Sequence, residues 1–160
     1  MKRTFFSLAL LLAVATLTAQ TKMTAREAAV KIADRILAST TYEFKNTKTG
    51  EIYKSVKKLP LDMDVKVACK YNNWHYTNGV TNMALMELGD KLGDKKYEKY
   101  VLKNMNFVFN EGNLDFFRKQ YDEAFKRDGW NAVRKLSWHM IFRGKRLDDN
   151  GPMGASLIEL

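Results

Sequence analysis

Two short stretches of this 160-residue chain gather side chains able to do chemistry. The first is Asn72-Asn73-Trp74-His75-Tyr76-Thr77-Asn78-Gly79-Val80. Trp74 and Tyr76 offer faces on which the apolar side of a sugar ring can stack, while His75 and Asn78 can take its hydroxyls. The same residues also suit a plainer role, an aromatic loop closing the edge of a core. The second stretch is Arg143-Gly144-Lys145-Arg146-Leu147-Asp148-Asp149-Asn150-Gly151. Its paired carboxylates, Asp148 and Asp149, lie beside three cations, Arg143, Lys145 and Arg146, an arrangement suited to proton transfer next to an anionic substrate. Acidic residues that open a helix also serve as caps, so both readings stand here.

Other chemistries find less support. The two histidines, His75 and His139, cannot alone hold a metal, and no HExxH spacing exists, so neither a metal nor a cofactor is expected. Ser137-Trp138-His139-Met140 lies on a helical pattern and reads as packing. A single cysteine, Cys69, excludes an internal disulfide and is expected to be buried. There is no phosphate-cradling glycine loop and no GxSxG elbow.

These stretches must be positioned by helices. Thr24-Ala25-Arg26-Glu27 is a capping box, and Ala29, Ile32, Ala33, Ile36 and Leu37 follow at helical spacing, predicting a helix to about Ala38. Residues 40–73 read as an irregular insert. In it Tyr42-Glu43-Phe44 and Ile52-Tyr53 flank Asn46-Thr47-Lys48-Thr49-Gly50, a small β-hairpin with Gly50 left-handed; Val65-Lys66-Val67 alternates but is short. From Val80 to Leu92 the apolar arc is wide, predicting a helix packed on most sides. Gly93-Asp94 ends it and caps the next helix, which must fold back antiparallel with Tyr97, Val101, Met105 and Val108 on one stripe. Leu114, Phe117, Tyr121 and Phe125 mark a third amphipathic helix stopping near Asp128-Gly129. Trp130, Val133, Leu136 and Met140 mark a fourth ending at Arg143-Gly144. In the final segment Pro152 suits a first helical turn, with Met153, Leu157 and Leu160 on one face.

The N-terminus reads as an export signal. Lys2 and Arg3 precede an apolar run from Phe5 to Leu12, and Leu17-Thr18-Ala19 suits cleavage before Gln20. The run is shorter than the ~20 residues a spanning helix needs, so no stable membrane insertion is expected after cleavage and the mature chain is periplasmic or secreted. Net charge is +9, and +7 for residues 20–160, with 25 Lys+Arg against 18 Asp+Glu. Such a balance suits anionic partners, but export argues against nucleic acid.

Taken in order, Trp74 with Tyr76-Thr77-Asn78-Gly79-Val80 and then Leu147-Asp148-Asp149-Asn150-Gly151 resemble the unsaturated glucuronyl and rhamnogalacturonyl hydrolases of glycoside hydrolase families 88 and 105. The resemblance runs from about Thr24 to Leu160; the insert at 40–73 is outside the family pattern. It implies an all-α fold, an incomplete (α/α)6 six-hairpin barrel with a small β-hairpin insert, of which about the first third of the helices is expected here. It also implies a reaction: protonation of the C4=C5 vinyl ether of a lyase-generated uronide, water addition at C5, and collapse of the hemiketal. Direct displacement at the anomeric carbon is not required. By position Asp149 matches the family's first active-site aspartate, with Asp148 one residue away. Trp74 and Tyr76 match the aromatic wall, His75 and Asn78 are hydroxyl contacts, and Arg143, Lys145 or Arg146 can steer the uronate carboxylate. The family's principal acid/base aspartate is expected on a later helix than this chain reaches, making the chain the N-terminal part of such an enzyme. The partner implied is an acidic oligosaccharide. An exported, non-catalytic carbohydrate-binding module using Trp74 and Tyr76 is the alternative.

Overall fold

A computed structural model describes residues 23–110, 112–145 and 147–160. The expected signal peptide at 1–19 lies outside the described residues. Two compact units partition the chain, Met1–Ile32 and Ala33–Leu160. In the first, the described residues open helix α1 (Ala25–Ser39). Its capping box is closed: the Thr24 N–H donates to Glu27 Oε2 at 2.8 Å and the Glu27 N–H to Thr24 Oγ1 at 3.2 Å. The backbone bond from Thr24, then its hydroxyl, hold the Glu27 carboxyl below its ordinary range.

The second unit carries a small antiparallel sheet and five helices among the described residues. Strands β1 (Phe44–Asn46), β2 (Ile52–Tyr53) and β3 (Val65–Val67) are ordered β2-β1-β3. The β1–β2 turn is set by Asn46, whose Oδ1 accepts from the Lys48 and Thr49 N–H groups at 2.9 and 3.1 Å, and by Gly50 at φ +78°. Val65-Lys66-Val67 is more than an irregular stretch: it pairs with β1, Phe44 opposite Val67 and Asn46 opposite Val65. The cause is burial. Val65 and Val67 share the inner face with Phe44, and the alternation turns Lys66 outward.

Helices α2 (Tyr76–Leu92) and α3 (Lys96–Phe109) form an α-hairpin. Gly93, at φ +66°, ends α2, and Asp94 Oδ1 accepts from the Lys96 N–H at 3.0 Å. Their antiparallel course follows from two levels of contact: Gly89 lies beside Tyr97, and Asn104 donates to Asn82 Oδ1 at 3.5 Å. The stripe Tyr97, Val101, Met105 and Val108 is buried. The expectation that α2 is packed on most sides is corrected. Val80 and Met83 are 53% and 40% exposed among the described residues. What α2 buries is instead small or polar, Asn78, Gly79, Asn82 and Gly89 with Leu85, because its neighbours approach at the glycines.

Helix α4 (Asn113–Val133) has non-helical dihedrals at Asp128 and Gly129, the stop expected for the third helix. The continuous fourth helix expected from Trp130 to Met140 does not form. After Val133 the chain turns, Trp138 takes a left-handed backbone at φ +57°, and α5 is only His139–Arg143, ended by Gly144 at φ +60°. Tertiary bonds outweigh the helical period here. The Trp138 indole N–H donates to the Asn72 carbonyl at 2.6 Å, and Ser137 Oγ accepts from the Val67 N–H at 3.1 Å. Trp138 is thereby buried against Phe107 and Phe117. Helix α6 spans Leu147–Ile158, so Pro152 sits inside it rather than in its first turn. Its ring removes the N–H that would reach the Asp148 carbonyl.

The main core is aromatic and β-branched: Phe44, Val65, Val67, Trp74, Phe107, Phe117, Trp138 and Met153 all belong to it. Cys69 is buried as expected. No helix among the described residues is long and apolar enough to cross a membrane.

Candidate functional site

The two chemistry-bearing stretches are brought together. The Trp74 indole N–H donates to Asn150 Oδ1 at 2.7 Å, joining residues 76 positions apart. One turn further, Gly79 of α2 meets the backbone of Pro152 and Met153 in α6 so closely that a Cβ would lie 2.7 Å from the Pro152 carbonyl oxygen. A helix-to-helix approach of this kind needs glycine at the crossing.

Within the first stretch the residues divide by exposure. Trp74 is 7% exposed and packs edge-on against Phe109, with ring centroids 5.8 Å apart. Asn78 is buried, and its Nδ2 donates to the Lys70 and Asn73 carbonyls, both at 2.8 Å. These two side chains hold the loop in place. Tyr76, by contrast, is 47% exposed at the start of α2, its ring tilted against His75 at 4.8 Å. His75 caps α2: its Nδ1 accepts from the Thr77 N–H at 3.4 Å. An accepting Nδ1 puts the neutral imidazole's proton on Nε2. His75 and Tyr76 are the exposed ring pair of this stretch.

The second stretch is more spread out. Asp148 is exposed near the beginning of α6, and Asp149 follows it in that helix. The Arg143 guanidinium lies over the Trp130 ring, 3.9 Å from its centroid, a stacked cation–π contact. Lys145 is exposed, and Arg146 lies outside the described residues.

His75, Trp74 and Asn78 also line a cleft of about 430 Å³. Its other walls come from outside the two stretches. Lys66 belongs to β3, Lys70 to the 3-10 turn after it, Lys135 to the turn between α4 and α5, and His139 opens α5. The His139 Nδ1 lies 2.8 Å from the Leu136 carbonyl, which can only accept, so this ring carries its proton on Nδ1. Among the described residues no carboxylate lines the cleft, and Asp148 and Arg143 are not part of it. These lysines carry no local sequence signature, because three separate segments supply them. No group of three or more His, Cys, Asp or Glu side chains suited to a metal occurs among the described residues.

Compared with known protein families, the chain matches none; nor does any curated protein or solved structure match it.

Proposed function

We propose that this chain acts in the breakdown of acidic polysaccharides, with a glycoside hydrolase site of the unsaturated uronyl type. The observation that carries the reading is the meeting of the Trp74–Val80 stretch with the Leu147–Gly151 stretch through the Trp74–Asn150 bond and the Gly79–Pro152 contact. A motif pair that recurs only in order along a sequence has no reason to share one helix crossing. The α2–α3 hairpin supplies the repeating unit from which an (α/α)6 barrel is built. On this reading, residues 1–19 direct the chain out of the cytoplasm.

In the proposed chemistry the C4=C5 vinyl ether of the terminal uronide is protonated at C4, water adds at C5, and the hemiketal opens to release the next sugar. Asp149, or Asp148 beside it, hydrogen-bonds and orients the unsaturated ring. Tyr76 supplies an aromatic face, and His75 donates Nε2–H to a hydroxyl. Arg143, Lys145 or Arg146 attracts the uronate carboxylate. Trp74 and Asn78 hold the loop through their nitrogen donors and also line the cleft, so they support the aromatic wall and the hydroxyl contacts from within.

The direct assay is loss of the ultraviolet absorbance of an unsaturated uronyl disaccharide. Turnover that falls at least about a hundredfold in Asp149→Asn or Asp148→Asn supports the assignment. Wild-type rates with both residues replaced overturn it. A second reading, an exported carbohydrate-binding module, is favoured by the cleft, which among the described residues is lined by lysines and no carboxylate; binding of acidic oligosaccharides unchanged by replacement of both aspartates selects it.

A further inference from the structure

Two sets of lysines differ in their surroundings. Lys48, Lys91, Lys95, Lys96 and Lys126 each lie within 4 Å of a carboxylate, at 2.8 to 3.4 Å. Lys66, Lys70 and Lys135 make no such pair among the described residues, yet all three line the 430 Å³ cleft together with His75 and His139. A fourth cation adjoins them. Lys45 of β1 stands directly opposite Lys66 of β3 in the antiparallel register, which places both side chains on one sheet face. Like charges directly opposite are destabilising, and among the described residues no carboxylate lines the cleft to offset them.

We infer that this cleft is a binding site for an oxyanion group, a carboxylate or sulfate, carried on a sugar residue next to the one attacked. The inference rests on the carbohydrate reading above and narrows its substrate to oligosaccharides acidic at two successive positions. Lysine ammonium groups meet a carboxylate or sulfate through charge-assisted hydrogen bonds. The cleft shares Trp74, His75, Thr77 and Asn78 with the helix mouth, and the insert at 40–73 and the α4–α5 segment add the lysines. Its volume falls in the range of small-ligand sites.

The test is titration calorimetry of the whole chain with tetragalacturonate, a sulfated tetrasaccharide of the chondroitin type, a neutral cellotetraose and inorganic sulfate. Saturable binding of one or both acidic oligosaccharides, with none of cellotetraose, is expected. Lys66→Gln with Lys135→Gln should weaken it by roughly tenfold or more and flatten its salt dependence. Lys119→Gln, an exposed lysine outside the cleft, should leave it unchanged. Should the double variant fold poorly, Lys135→Glu alone, in an exposed turn, must weaken binding. The acidic oligosaccharide that binds identifies carboxylate or sulfate as the group held. Binding of inorganic sulfate alone, or equal loss in Lys119→Gln, overturns the inference. The absorbance assay is read separately: wild-type turnover in the Asp148 and Asp149 variants with lysine-dependent binding intact removes the hydrolase assignment and keeps this site, and turnover without lysine-dependent binding does the reverse.

Discussion

Gly79 and Pro152 bring two helix backbones into contact. A Cβ on residue 79 would stand 2.5 Å from the Met153 nitrogen and 2.7 Å from the Pro152 carbonyl oxygen. Both are backbone atoms, so no side chain can swing aside. Gly79→Ala is expected to destabilise the chain by about 1–3 kcal/mol as α2 and α6 separate. Gly154→Ala, with nothing within 4 Å of the added carbon, should instead stabilise by up to about 1 kcal/mol through helix propensity. Urea midpoints that shift in the same direction for both would exclude close approach as the role of Gly79.

The Trp74–Asn150 bond should behave as a coupled pair. Asn150→Ala leaves a buried indole N–H without its 2.7 Å acceptor and should cost about 1–3 kcal/mol. In a double-mutant cycle with Trp74→Phe the losses should be less than additive. Strict additivity in equilibrium unfolding would remove the bond from the account of how the two stretches are joined.

Asp34 makes stability depend on acidity. Its carboxylate accepts from Lys96 Nζ at 2.9 Å and from the Tyr97 hydroxyl at 3.0 Å, and these bonds, the lysine's first, hold its pKa below the ordinary 3.8. A lowered folded pKa means the stabilisation is full above the unfolded value and is lost as pH falls through 3.8 and then the folded value. Asp34→Asn should therefore melt lower than wild type near neutrality, with the gap narrowing below pH 3.8. Thermal melts across that window test it, and a gap that widens with acid would contradict the assignment.

Tyr76 offers a ligand-facing test that spares the fold. Because it is 47% exposed, Tyr76→Ala should leave the melting temperature close to wild type. Loss of the stacking face should weaken acidic oligosaccharide binding by roughly tenfold, while Tyr76→Phe keeps most of it. Calorimetry showing equal affinity for all three chains would remove Tyr76 from the site.

Cys69 reports on folding. At 7% exposure its thiol should resist Ellman's reagent in the native chain and react fully in denaturant. Rapid labelling under native conditions would show that the region around it opens readily.

Local signals were legible in the sequence, and pairwise ones were not. Thr24 with Glu27, Gly50 and Gly93 announced a cap, a turn and a helix end, because each depends on a few adjacent residues. The break at Asp128-Gly129 was readable for the same reason. Val65-Lys66-Val67 did not announce itself as a strand, since its partner Phe44 lies far off in the chain. The left-handed Trp138 was hidden by a helical spacing that its indole bond to Asn72 overrides. Likewise, a periodicity count sees Val80 and Met83 as core candidates, although glycines decide where neighbours of α2 approach. At the site, aromatic and acidic stretches stood out by type, whereas Lys66, Lys70 and Lys135 form a cluster only after folding.

One buried amide has a mechanical consequence. Gln120, fully buried in α4, donates from Nε2 to the Asp62 carbonyl and, at 3.0 Å, to the Val65 carbonyl. Ser137, beyond the end of the same helix, grips Val67. The strand carrying Lys66 is thus riveted at both ends to the segment that leads to Lys135. Two walls of the cleft therefore share one chassis, tied through two polar side chains. On the oxyanion proposal, a spacing held in that way would select ligands by the separation of their charges, much as a gauge accepts only one thickness.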